Sequence, residues 1–281
     1  MTSIGSSIAG TIKLYYQNSD KARATARILD FNKDDIGSYF IFNQTIFHPQ
    51  GGGQPSDVGQ LSLEGKKLNV VKLTEDKDSG IIRHYIDSQQ SNELKGTDLI
   101  GKSITQTIDL EKRILYAQQH TGGHLLANIV ESLAPNLIGY NGYHFPDGPY
   151  VKFKVTAEKE GSTESKEDKV ELKEEPKKTK EGKKKADAKS SILFTKDEIM
   201  ALAKQYIGAG LPIYVNNNEI PRTVQIAGLK AYPCGGTHLT NLADLGSLQI
   251  REIKKDKSDI KIKYAVGEGQ KSKEESKTES K

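Results

Sequence analysis

Residues 157–190 hold eleven lysines against ten acidic residues, with Val170 and Leu172 as the large apolar side chains among them. So little apolar area cannot offset the entropy lost on ordering, and the block reads as a solvated, disordered insertion. The chain must therefore fold from the pieces on either side and carry this excursion at a surface. The end of the chain, 267–281, has the same character, with four lysines and four glutamates. Of the formal net charge of +4, the insertion supplies +1 and the tail 0, which leaves +3 on the remainder. That mild excess does not mark a nucleic-acid binder, so any basic surface has to be local.

Before the insertion, segments 11–16, 22–30, 38–42, 59–63, 68–73, 81–86 and 103–108 are short, and many alternate apolar with polar residues. Turn residues such as Asn18-Ser19-Asp20, Glu64-Gly65 and Asp78-Ser79-Gly80 separate them. Short strands at ~10-residue spacing predict a small barrel or sandwich, assigned to a first domain over 1–101. The second domain, 102–266, opens with a helix over 110–133. Asp109 is its N-cap, Leu110, Ile114, Ala117, Leu125, Ile129 and Leu133 recur at helical spacing, and Pro135 ends it. A strand over 150–155 leads into the insertion. Thr195 with Glu198 three residues on is a capping box, and the helix it starts runs to Ile207, where Gly208 and Gly210 stop it. A short strand over 212–215 and a hairpin pairing 248–253 with 260–265 complete an α+β class.

No stretch approaches the ~18 apolar residues of a membrane span, and the first residues lack the basic and apolar blocks of a secretory signal. The single cysteine, Cys234, allows no intramolecular disulfide and suits a reducing compartment, so a cytoplasmic location is expected.

Two like-spaced pairs stand out. His120-Thr121-Gly122-Gly123-His124 puts two imidazoles at i and i+4 on one face of the first helix. Cys234-Gly235-Gly236-Thr237-His238 puts a thiol and an imidazole four apart in a Gly-rich loop whose glycines let both side chains converge. Each pair alone has a plain explanation, as helix-surface histidines or as a small buried thiol. Together they take up four of the seven His and Cys residues, and three histidines with one thiolate suit Zn²⁺. A metalloprotease needs Glu after the first His as its base, and Thr121 stands there. Four protein ligands also describe a closed structural zinc site, and the sequence leaves both kinds open. The other feature is His48-Pro49-Gln50-Gly51-Gly52-Gly53-Gln54-Pro55. Its glycines permit a tight barrel turn or close backbone approach to a ligand. It is neither a P-loop nor a dinucleotide-binding glycine motif.

The run Phe47–Gly59, the His-Thr-Gly-Gly-His-Leu-Leu stretch from His120 and the Cys-Gly-Gly-Thr-His stretch from Cys234 follow one another in an order that resembles the editing region of alanyl-tRNA synthetase and its free-standing AlaX-type relatives. Residues 142–151 resemble a segment of the medium-length AlaX group. The resemblance covers about 8–156 and 192–265. It lacks an aminoacylation domain, which implies the stand-alone form. It implies a translation-factor-like N-terminal β-barrel, then an α+β editing domain of the threonyl/alanyl-tRNA synthetase type. It also implies zinc held by His120, His124, Cys234 and His238, and a Gly51–Gln54 loop facing the active site. The implied reaction is ester hydrolysis of tRNA(Ala) mischarged with serine or glycine, with no membrane and no obligate protein partner. An alanine pocket rejects a smaller or singly hydroxylated side chain only modestly, so a second hydrolytic site supplies the missing selectivity.

On that reading Gly51, Gly52, Gly53 and Gln54 hold the terminal adenosine or the developing oxyanion. Thr121 or Asn141 reads the serine hydroxyl, and His144 and His48 contact water or ribose unless they are structural. Replacing Gln54 by alanine then lowers hydrolysis and leaves zinc content intact. Lys112, Arg113, Arg222, Lys230, Lys254, Lys255 and Lys257 are candidate phosphate contacts or plain surface cations. The rivals are a non-catalytic RNA-binding or interaction protein with a structural zinc, and another zinc hydrolase of small esters or amides.

Overall fold

Alternation in the first hundred residues closes into a barrel. In the computed structural model, which describes residues 10–91, 94, 98–156, 194–256 and 259–267, six strands form it. They are β1 (Arg23–Lys33), β2 (Ser38–Phe42), β3 (Gly59–Leu63), β4 (Lys66–Glu75), β5 (Ile82–Ile86) and β6 (Ser103–Ile108). All neighbours are antiparallel, in the order β1-β2-β5-β4-β3-β6. The β3–β4 hairpin turns at Glu64-Gly65, both with positive φ (+48° and +84°), which matches the right-handed twist of the strands. In β4 the inward set steps from Leu68 and Val70 to Leu73, because a register shift after Val70 inserts one residue. Ile28, Phe40, Phe42, Leu61, Ile82 and Ile104 fill the interior.

Ser103–Ile108 pairs with both β1 and β3, so the barrel extends past 101 to Ile108. The strand expected over 11–16 is shorter: Ile12–Lys13 pairs in parallel with Gln44–Thr45, and a 3₁₀ turn follows at Leu14–Tyr16.

Helix α1 (Leu110–Leu133) starts where expected, with the Asp109 carboxylate accepting from Lys112 N–H at 3.1 Å. Then come β7 (Leu137–Tyr143), β8 (Tyr150–Val155), α2 (Lys196–Gly208), β9 (Ile213–Asn216), β10 (Thr223–Ile226), β11 (Tyr232–Pro233), β12 (Leu248–Asp256) and β13 (Asp259–Val266). The capping box of Thr195 and Glu198 is present. A four-stranded antiparallel sheet, β12-β13-β8-β7, packs on α1 and α2, and a smaller one, β9-β10-β11, contributes to the same core. Leu125, Leu126, Ile129 and Val130 of α1 share a core with Phe153, Ile199, Ala203 and Ile262. Helices packed on antiparallel sheets beside a barrel make the α+β class expected.

A buried ion pair ties the two cores together. Arg113, 1% exposed, donates through Nε to Asp57 Oδ1 (2.9 Å), through Nη2 to Asp57 Oδ2, and to the carbonyls of Ser19 (2.6 Å) and Ile46 (2.7 Å). The block 157–190, the tail 268–281 and Lys257 lie outside the described residues. Among the described residues no helix is long and apolar enough to cross a membrane.

Candidate metal centre and adjoining cavity

Gly51 and Gln54 close a two-residue turn: Gln54 N–H donates to Gly51 O (3.0 Å) and Gly51 N–H to Gln54 O (3.2 Å). Gly52 and Gly53 between them have φ of +59° and +77°, a pair of left-handed residues that glycine adopts freely. A Cβ on Gly53 would strike the Gly142 carbonyl. His144 N–H donates to Gly53 O at 2.8 Å, which fastens the barrel's loop to the chain just past β7.

The turn lies against the four predicted ligands. His120 and His124 come from α1, Cys234 and His238 from the loop after β11, and their ligand atoms all lie within 4.8 Å of one another. Cys234 Sγ is 3.4 Å from His120 Nε2 and 3.2 Å from His238 Nε2. Tetrahedral zinc, with bonds of about 2.0–2.3 Å, separates its ligand atoms by roughly 3.3–3.7 Å; the two thiol–imidazole spacings are close to that range, and three imidazoles with one thiol are a donor set that suits the ion. Burial depresses the imidazoles: His124 to about 4, with the Arg222 charge adding to it, and His120 and His238 well below the usual range, where crowding of the rings further disfavours a proton on each. All three are neutral at pH 7, the form that ligates. Burial pushes the Cys234 thiol up, so it is the ligand that must give up a proton.

Two residues expected to touch substrate sit behind the ligands instead. Gln54 is fully buried. Its Oε1 accepts from Thr237 N–H (3.0 Å) and lies 2.9 Å from His120 Nδ1, while its Nε2 donates to Thr237 Oγ1 (2.8 Å). Thr121 Oγ1 lies 3.3 Å from His238 Nδ1 and accepts from Leu239 N–H (3.2 Å). Both histidines thereby keep Nδ1–H for these oxygens and present Nε2 to the metal position. Thr121 is 1% exposed and, like Gln54, lines no part of the cavity described next. Its hydroxyl is not placed to read a serine side chain.

A cavity of about 490 Å³ opens beside the ligands, lined by Gly52, Gly53, His120, Gly123, His124, Asn141, Gly142, His144, Tyr232 and Cys234 among others. Gly52, Gly53, Asn141 and His144 thus share one cavity wall, and Gly51 is not part of it. His48 is buried, its ring edge-on to Tyr15 at 5.3 Å, and lies outside the cavity. His144 stacks on His120 at 4.5 Å, and burial holds it neutral, down to about 3. Tyr264 O–H donates to Gln119 O (2.7 Å), and its oxygen is 2.7 Å from His144 Nδ1. Since the phenol proton is committed, Nδ1–H donates to it and Nε2 is left as an acceptor. Gly123 and Gly142 are small for a reason: a Cβ on either would overlap the His144 ring.

Tyr264 is not among the residues that the sequence singles out, and Arg222 stands there only as a candidate phosphate contact. Arg222 Nη1 donates to the carbonyls of Cys234 (2.6 Å) and Gly236 (3.1 Å), clamping the ligand loop, and its guanidinium lies 4.5 Å over the Tyr16 ring. The alternation in β13 places Tyr264 inward, which was the available signal. Of the phosphate candidates, Arg113 is consumed by Asp57. Arg222 is consumed by the loop, Lys230 pairs with Glu131 at 2.6 Å, and Lys112 pairs with Asp109 at 3.2 Å. Lys254 and Lys255 are exposed.

No protein-family model matches the chain. An alanine–tRNA ligase of Methanobrevibacter smithii is 25% identical over 257 residues, 90% of this chain and 27% of the ligase. One from Thermoplasma acidophilum is 26% identical over 92% of this chain and 27% of its own length. The alanyl-tRNA editing protein AlaX-M of Methanosarcina mazei is 27% identical over 237 residues, 82% of this chain and 87% of its own length. The chain thus spans about a quarter of the ligases it matches and most of AlaX-M.

Proposed function

We propose that this chain, a member of the family that joins the editing protein AlaX-M to the matching quarter of the alanine–tRNA ligases, hydrolyses the ester of tRNA(Ala) mischarged with serine or glycine. The observation that carries this is the juxtaposition of four convergent metal ligands with a cavity walled by the glycine turn. Activity, substrate and the cytoplasmic setting are our reading, as is a translation-factor-like character for the barrel, with the editing domain following it.

Zinc, when bound by His120, His124, Cys234 and His238, would supply a localised positive charge next to the scissile ester. The chain's own residues do the rest. Gly52 and Gly53 bring backbone close to the terminal adenosine, since no side chain intervenes. His144 Nε2, held as an acceptor by Tyr264, orients a water or the serine hydroxyl, and Asn141 offers an amide from the same wall. At a pKa of about 3 His144 is a weak base, so its part is placement more than proton removal. Gln54 and Thr121 act through His120 and His238 as positioning residues.

Four protein ligands also favour a second reading, a structural zinc in a non-catalytic RNA-binding protein. Deacylation of seryl-, glycyl- and alanyl-tRNA(Ala), with and without chelator and with His124→Ala, separates the two. Metal-dependent loss of serine or glycine with alanine retained supports editing. Binding of zinc and tRNA without hydrolysis of any of the three supports the second reading.

A further inference from the structure

We propose that the outward face of the four-stranded sheet is a track for the single-stranded end of an RNA, its phosphates following a row of lysines that leads to the cavity. Lys254 of β12 stands directly opposite Lys261 of β13, and Lys261 opposite Lys152 of β8. Like charges in directly opposed positions destabilise a sheet, a cost offset when an anion lies between them. The row ends on β7, where Asn141 pairs with Lys152 and lines the cavity. Four strands at about 4.8 Å spacing make the row roughly 14 Å long.

Lys263 adds a further cation. With Tyr150, Lys152, Glu252, Lys254 and Lys261 it lines a depression of about 240 Å³. Glu252, the acid of that depression, is paired with Lys263 at 2.7 Å. Beside the lysines, Phe145, Tyr143 and Tyr150 form a parallel stack, with interplanar angles of 12° and 14°, and Lys261 Nζ lies 3.7 Å over the Tyr150 ring. A row of cations beside a stack of aromatic rings on an open sheet suits the phosphates and bases of a single strand better than an acidic peptide, which has no use for the rings. The identity of the RNA rests on the editing reading; the surface itself does not.

The test measures binding of uncharged tRNA(Ala) transcript against salt for the full chain and for Lys152→Gln/Lys254→Gln/Lys261→Gln. Hydrolysis of seryl-adenosine, a small ester without phosphates, is followed in parallel. The triple variant is expected to bind about 10- to 100-fold more weakly and to lose about two from the slope of log K against log salt, at ~0.7 per phosphate contact. It should hydrolyse seryl-adenosine as the parent does and melt no lower. Lys67→Gln/Lys72→Gln, on the barrel, should leave binding unchanged. Unchanged affinity and slope in the triple variant overturn the proposal, as does an equal loss in the barrel control. A parent that hydrolyses neither seryl-adenosine nor seryl-tRNA(Ala) removes the editing reading, and the salt slopes still decide the surface.

Discussion

Gln54→Ala is the sharpest test of how the metal centre is held. In the parent, Gln54 Oε1 faces both His120 Nδ1 (2.9 Å) and Thr237 N–H (3.0 Å), and its amide donates to Thr237 Oγ1 (2.8 Å). Alanine removes all three contacts where water has no access. Groups that orient a ligating imidazole typically contribute 10- to 100-fold to metal affinity, about 1.4–2.7 kcal/mol. Two buried donors left without acceptors add about 2–6 kcal/mol to the cost of folding without metal. Competition against a chromophoric zinc chelator reads the first quantity, and urea unfolding in chelator reads the second. Gln54→Glu keeps an acceptor for both donors and should bind zinc within about threefold of the parent, well inside that range. Gln54→Ala that binds zinc like the parent while hydrolysis falls would refute this reasoning and return Gln54 to direct substrate contact.

Three further outcomes are expected. Arg113→Met leaves the Asp57 carboxylate buried without its partner and should cost about 3–5 kcal/mol in urea unfolding; Arg113→Met/Asp57→Asn should cost less than the single change, and strict additivity would count against the ion pair. Tyr264→Phe frees the His144 ring and should lower kcat about tenfold, the worth of one oriented hydrogen bond of about 1.4 kcal/mol, with KM and zinc content unchanged; loss of zinc would place Tyr264 in the fold of the centre instead. Without metal, stability should be full above pH 6.5 and fall as pH drops toward 4, because burial depresses His124 and His48 to about 4 and His84 and His144 to about 3 while the unfolded chain takes up protons from about 6.5. Urea midpoints in chelator across pH 4–8 check this, and a flat profile would contradict it.

The sequence by itself determined the local elements and the four residues that could hold a metal. Leu110–Leu133 is legible because its cap and period are both written in adjacent residues, and Ser38–Phe42, Gly59–Leu63 and Ser103–Ile108 because alternation and flanking turns bound them. The His120/His124 and Cys234/His238 spacings are likewise local. Tertiary structure decided the rest. Leu137–Tyr143, interrupted by Gly139, Asn141 and Gly142, becomes a strand because the edge of Tyr150–Val155 offers it hydrogen bonds that its own composition does not announce. Residues 103–108 join the barrel because they pair with strands about forty and eighty residues earlier. Gln54 and Thr121 look like substrate contacts in a linear reading, since a free amide or hydroxyl beside metal ligands is unassigned there. Folding brings the oxygen of each to an Nδ1 of a ligand histidine across a separation of 66 or 117 residues. A side chain's partners follow from which surfaces meet, and no periodicity along the chain records that.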